Sequence, residues 1–204
     1  HSFPTRRSSD LCLVIACGAL AREIQHLKTV HQWRHLEIQC LDAALHNTPA
    51  KIPGRLAKKI DQAGFRYAKI LIAYGDCGTQ GAIDRLIQNA DHIERLPGPH
   101  CFAAFAGLEN FEAHMASHPG TFWLTDFLTR HFETMVVQSL GLDKHPELLP
   151  AYFGHYEKLC YLSQSADGTL LESARAAAKF LGLCFEHQPV GYNALTKPLT
   201  WCAA

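Results

Sequence analysis

Residues Ala68 to Tyr74, AKILIAY, run without a break into Gly75 to Gly81, GDCGTQG, and the reading of this stretch decides the fold. Four consecutive apolar residues, Ile70 to Ala73, do not alternate with polar ones. That is the pattern of a strand buried on both faces, as in a parallel sheet covered by helices. The three glycines that follow supply a tight turn, since glycine adopts backbone angles closed to other residues. Ile83, Leu86 and Ile87 then recur at helical spacing. The unit is therefore strand, glycine loop, helix.

The same alternation extends in both directions. Toward the N-terminus, CLVIA (12–16) and LEIQCL (36–41) read as strands. Leu20, Ile24 and Leu27 mark one intervening helix, and Ile52, Leu56 and Ile60 another, with Pro53 in the first turn. Toward the C-terminus, 93–96 reads as a strand closed by Pro97-Gly98-Pro99. Two helices are expected over 102–117 and 122–139, the second with Leu124, Phe127, Leu128, Phe132, Met135 and Val136 on one face. A short aromatic helix follows Pro146, then a strand over 158–164, a helix with Thr169 and Glu172 as capping box, and a strand over 183–187. Alternating strands and helices imply parallel strands joined by right-handed crossovers. The expectation is an α/β fold: a single three-layer Rossmann-like domain over 12–195, with a mostly parallel sheet of about six strands and a C-terminal tail over 196–204.

The first residues, HSFPTRRSSDL (1–11), back-translate without a mismatch into a common short-read sequencing adapter. They are expected to be an assembly scar that stands in place of the true N-terminus and packs against nothing, so Arg6 and Arg7 are set aside as a basic arm. The 19 basic and 19 acidic residues balance, and no basic stripe points to nucleic acid. No apolar run is long enough to cross a bilayer. Eight cysteines without a CxxC pair suit a reducing, cytoplasmic setting better than a disulfide scaffold.

Three of those cysteines share one topological position. Cys17 follows the first strand in ACG, Cys77 the third in YGDCG, and Cys101 the fourth in PGPHC. Loops at the carboxyl ends of neighbouring parallel strands open onto one crevice. A thiol at a helix N-terminus is ionised more easily, and thiolate is the form that binds a metal or attacks an electrophile. Three thiolates would suit zinc or an iron–sulfur centre, with His100, His46 and Asp76 as candidate further ligands. The alternative is three unlinked cysteines packed as small hydrophobes. Gly75, Asp76, Gly78 and Thr79 also form a candidate cofactor loop, although it matches neither GxGxxG nor a P-loop, and glycines serving a tight turn explain it more simply. His131 falls between Leu128 and Phe132 as a core histidine, and Asp126 with Arg130, four apart, reads as a surface ion pair.

The strings ACGAL, LHNTPAKI, YGDCGTQG, PGPHCFAAFAG, GTFWLTDFL, HPELLPAYFGHY and VGYNAL occur in this order. They resemble the uncharacterised family called domain of unknown function 1638. The resemblance runs from about Leu13 to Leu195, and its cysteines in the ACG, YGxCG and HC positions correspond to Cys17, Cys77 and Cys101. Members tend to be encoded beside corrinoid proteins and trimethylamine-type methyltransferases. The resemblance therefore implies a cytosolic protein that uses a three-cysteine metal or cofactor site in corrinoid-dependent methyl transfer, with a corrinoid protein or methyltransferase as partner. The alternative it implies is an accessory subunit, without chemistry of its own, that docks on such a partner.

Overall fold

The computed structural model describes residues 11–204, so the expected packing of His1 to Asp10 lies outside the described residues. The chain is α/β with parallel strands throughout, as the alternation requires. The strands do not form one sheet of about six. Among the described residues they form two sheets, one of four strands and one of three. The described residues lie in two compact units, one made of 11–104 with Ala194–Ala204, the other of Phe105–Asn193. An unbroken apolar run reports burial on both faces, a condition either sheet meets. Which strand lies beside it is a non-local matter.

In the first unit, β1 (Cys12–Cys17), β2 (Leu36–Leu41), β3 (Lys69–Ala73) and β4 (Ile93–Arg95) lie in the order β2-β1-β3-β4. Leu13, Ile15, Ile70 and Ile72 share a sheet face with Ile52 and Leu56 of α2 (Ile52–Ala63), all at most 1 % exposed. Each such side chain contributes about 1.5–3 kcal/mol relative to exposure. Leu11, the last residue of the adapter-like string, also packs on this cluster, and its carbonyl accepts from the Ala68 N–H. Ala16 pairs with Ala73, so Cys17 and Tyr74, one position further on, emerge side by side at the carboxyl edge.

Of residues 196–204, expected as a tail, all but Ala204 belong to helix α9 (Asn193–Ala203). Leu195, Leu199 and Cys202 are buried in it. Cys202 is disulfide-bonded to Cys12 of β1, with Cα atoms 5.8 Å apart. Lys69 Nζ donates to the Trp201 carbonyl at 2.8 Å and lies 5.3 Å from that residue's ring centroid.

In the second unit, β5 (Thr121–Thr125), β6 (Lys158–Ser163) and β7 (Cys184–Pro189) lie in that order. The segment TFWLT was expected to begin a helix. It is a strand, because β-branched and aromatic residues favour a pleated, half-buried surface and this outweighs the helical spacing of Leu124, Phe127 and Leu128. The helix begins only at Asp126, as α6 (Asp126–Arg130). The expected helix over 102–117 breaks at Gly107, whose φ of 82° ends α4 (Ala103–Ala106) before α5 (Leu108–Ser117). Helix α8 (Gly168–Leu181) is capped by Asp167, which accepts from the Thr169 and Leu170 N–H groups. The expected box of Thr169 with Glu172 is displaced, because the carboxylate two residues earlier reaches the same donors.

Candidate functional site

The loop after β3 lies against the loop after β4. The Asp76 N–H donates to the Gly98 carbonyl at 3.0 Å and the Cys77 N–H to the Pro99 carbonyl at 2.8 Å. Gly75 allows this approach, since a Cβ there would stand 2.8 Å from the His100 carbonyl carbon. Cys77 has a φ of 48°, a left-handed conformation costing a non-glycine residue roughly 1–3 kcal/mol. The conformation turns its sulfur toward Cys101, and the two Sγ atoms are 3.1 Å apart.

Cys17 adjoins this pair from β1, beside Tyr74. Tyr74 is 2 % exposed, and among the described residues its hydroxyl has no hydrogen-bond partner. Cys17 is the one thiol in hydrogen-bonding contact with that hydroxyl, though short of good geometry, while Cys77 and Cys101 act on it only through their charge. A buried unsatisfied hydroxyl costs about 1–3 kcal/mol. The four side chains thus form one partly desolvated pocket of three thiols and a phenol.

The thiols are not equivalent. The hydrogen bond with Cys101 holds the Cys77 thiol below the ordinary range against the effect of its burial, with backbone groups of Cys101 and Gly75 helping. The same hydrogen bond, and then burial, pushes Cys101 well above it. Burial likewise pushes Cys17 up. The expectation that helix N-termini would acidify all three thiols is corrected. Helix α3 (Ala82–Ile87) starts well beyond Cys77, and a neighbouring thiol acidifies Cys77 in its place.

The other expected ligands fall around this pocket rather than in it. The Asp76 carboxylate accepts from Thr79 Oγ1 at 2.9 Å, Gln80 N at 3.1 Å and Gly81 N at 2.7 Å. Those bonds, with the Arg95 charge, keep its pKa low against the opposing effect of burial. Asp76 therefore closes its own loop, and the Thr79 hydroxyl with the Gln80 and Gly81 N–H groups, which a phosphate would need, already face it. Gly78 packs on Pro49, so its open side is also occupied. His46 and His100 are electrostatic neighbours on exposed turns. Among the described residues, no three His, Cys, Asp or Glu side chains as placed form a group able to hold one ion.

Two residues read as unremarkable prove otherwise. Asp126, expected on the surface, is 1 % exposed. Its carboxylate accepts from Tyr161 Oη at 2.7 Å, Gln164 N at 3.1 Å, Ser165 N at 3.0 Å and the Ser165 hydroxyl, with Arg130 at 3.6 Å. The signal for it was present: a lone carboxylate directly after an apolar strand. His131, expected in the core, is exposed and packs against the Phe127 ring at 4.6 Å. Helix α6 ends at Arg130, so His131 is its C-cap and does not continue the apolar stripe.

A family model described as protein of unknown function (DUF1638) matches residues 40–199. The chain belongs to this family, and the match covers Cys77, Cys101 and Asp126 but begins after Cys17. No curated protein matches the chain. No solved structure matches it either.

Proposed function

We propose that this DUF1638 member binds a thiophilic metal or metal-centred cofactor through Cys77 and Cys101, with Cys17 as third sulfur, and serves corrinoid-dependent methyl transfer. The observation that carries the reading is the buried Tyr74 hydroxyl, orphaned beside a thiol pair 3.1 Å apart. An orphaned polar group facing soft ligands is what a site looks like when its occupant supplies the missing partner. Two sulfurs on one tetrahedral zinc stand about 3.8 Å apart, given Zn–S bonds of about 2.3 Å. The Cys77–Cys101 pair needs only a small opening to meet that distance, and Cys17 would have to shift to join as third sulfur. Bound there, zinc or an iron–sulfur centre would supply positive charge that stabilises thiolate and activates a substrate thiol as methyl acceptor.

In this reading Cys77 provides the first thiolate, because it loses its proton most readily. Cys101 follows once its proton is displaced. Tyr74 donates its hydroxyl to a ligand sulfur or to the bound substrate. A corrinoid protein or its methyltransferase would be the partner carrying the methyl group.

The test is anaerobic purification with metal analysis, followed by cobalt(II) titration of the metal-free chain. About one equivalent of metal and a thiolate-to-cobalt charge-transfer band are expected. Cys77→Ser and Cys101→Ser should abolish both, while Cys160→Ser, in the other unit, leaves them intact. Metal-free protein that also shows no cobalt band would overturn the proposal.

A further inference from the structure

The second unit holds a cavity of about 450 Å³ at the carboxyl ends of β6 and β7, beside the first turn of α8. This is the position where parallel sheets bind ligands, and the volume is that of a small-molecule pocket. Tyr161, Ser163, Asp167, Leu171, His187 and Val190 contribute to its wall. None of them belongs to the thiol pocket.

Two of these side chains are joined in a specific way. Tyr161 pairs with His187 across the sheet and Ser163 with Pro189, so Tyr161, Ser163 and His187 point to the same face. Ser163 Oγ and His187 Nε2 are 2.9 Å apart. The His187 ring stacks on the Tyr161 ring with centroids 5.4 Å apart and planes 17° from parallel. Tyr161 is fixed in turn by its hydroxyl, which donates to the buried Asp126 carboxylate. The hydroxyl–imidazole pair is therefore held by packing below and a hydrogen bond behind. It faces a cavity walled by Leu171 and Val190.

We propose that Ser163 and His187 form a catalytic dyad that cleaves small acyl esters, with the acyl chain lodged against Leu171 and Val190. His187 Nε2 takes the Ser163 proton as Oγ bonds to the ester carbonyl carbon. The carbon–alkoxide bond then breaks, and His187 returns the proton to the departing alcohol. Water attacks the acyl-serine, His187 relays its proton to Ser163 Oγ, and the carboxylic acid leaves. Asp126 and Tyr161 are positioning residues in this step. A histidine base of this kind contributes roughly 10²–10⁴-fold.

The experiment treats the full chain with a fluorophosphonate probe and locates the adduct by peptide mass spectrometry, alongside p-nitrophenyl butyrate hydrolysis. An adduct on Ser163 is expected, absent in Ser163→Ala. His187→Gln should label and hydrolyse at least 100-fold more slowly with an unchanged circular-dichroism spectrum. His187 is exposed, so this variant keeps the test valid if Ser163→Ala fails to fold. Cys40→Ser, at an exposed cysteine outside both sites, should react like the unmodified chain. Folded protein that forms no Ser163 adduct, or that labels equally as His187→Gln, would overturn the proposal.

Discussion

The sulfurs of Cys77 and Cys101, 24 residues apart in the chain, stand 3.1 Å from one another because the loops after β3 and β4 hydrogen-bond backbone to backbone. The two thiols share one hydrogen bond and are not equivalent in charge. Cys77 loses its proton at lower pH than an ordinary thiol, and Cys101 at higher pH.

Alkylation should report that asymmetry. Iodoacetamide applied to the metal-free chain across a pH series should modify Cys77 before Cys101, with a midpoint below that of a free cysteine. In Cys101→Ala the chief cause of the lowering is gone and burial remains, so the Cys77 midpoint should move upward. Equal midpoints in the two proteins would contradict the hydrogen bond.

Gly75→Ala should separate the two loops. Its Cβ would meet backbone at 2.8 Å, an atom that cannot rotate aside. Overpacking of this kind costs roughly 1–3 kcal/mol. Diamide oxidation should link Cys77 to Cys101 readily in the unmodified chain and poorly in the variant, as read by non-reducing peptide mapping.

Asp126→Ala should be among the most damaging single changes in the second unit. It removes the acceptor of a buried tyrosine hydroxyl, two buried N–H groups and a serine hydroxyl, and leaves Arg130 without its partner. A loss of about 3–5 kcal/mol is expected in urea unfolding. Asp126→Asn, which keeps one oxygen acceptor, should fall between the two.

The bond between Cys12 and Cys202 should appear as a linked peptide pair in non-reducing mass spectrometry. It closes nearly the whole chain, with a sequence separation of 190. Reduction, or Cys202→Ser, should therefore lower stability by about 2–4 kcal/mol and expose the α9 segment to protease first.

Much of this protein was legible in order along the chain. Runs such as Cys12–Ala16 and Ile70–Ala73 declare strands buried on both faces, and the glycines after them declare turns, because both signals depend on a few adjacent residues. The grouping of Cys17, Cys77 and Cys101 followed from the strand-end rule alone, since all three follow strands that prove to be neighbours. What misled was also local. Leu124, Phe127 and Leu128 have helical spacing, yet the strand through Thr125 gains more from pairing with β6 than a helix would gain there.

The sequence by itself determined the α/β class, the parallel strands and the residues that crowd the edge of the first sheet, because period and propensity are properties of neighbours in the chain. Only the tertiary structure decided that the strands divide between two sheets and that Asp76 bonds to its own loop. It alone decided that Asp126 is buried and that Ser163 meets His187. Each of these depends on which distant segment supplies a partner or excludes water, and hydrogen-bond satisfaction and burial are settled only when the segments meet in space.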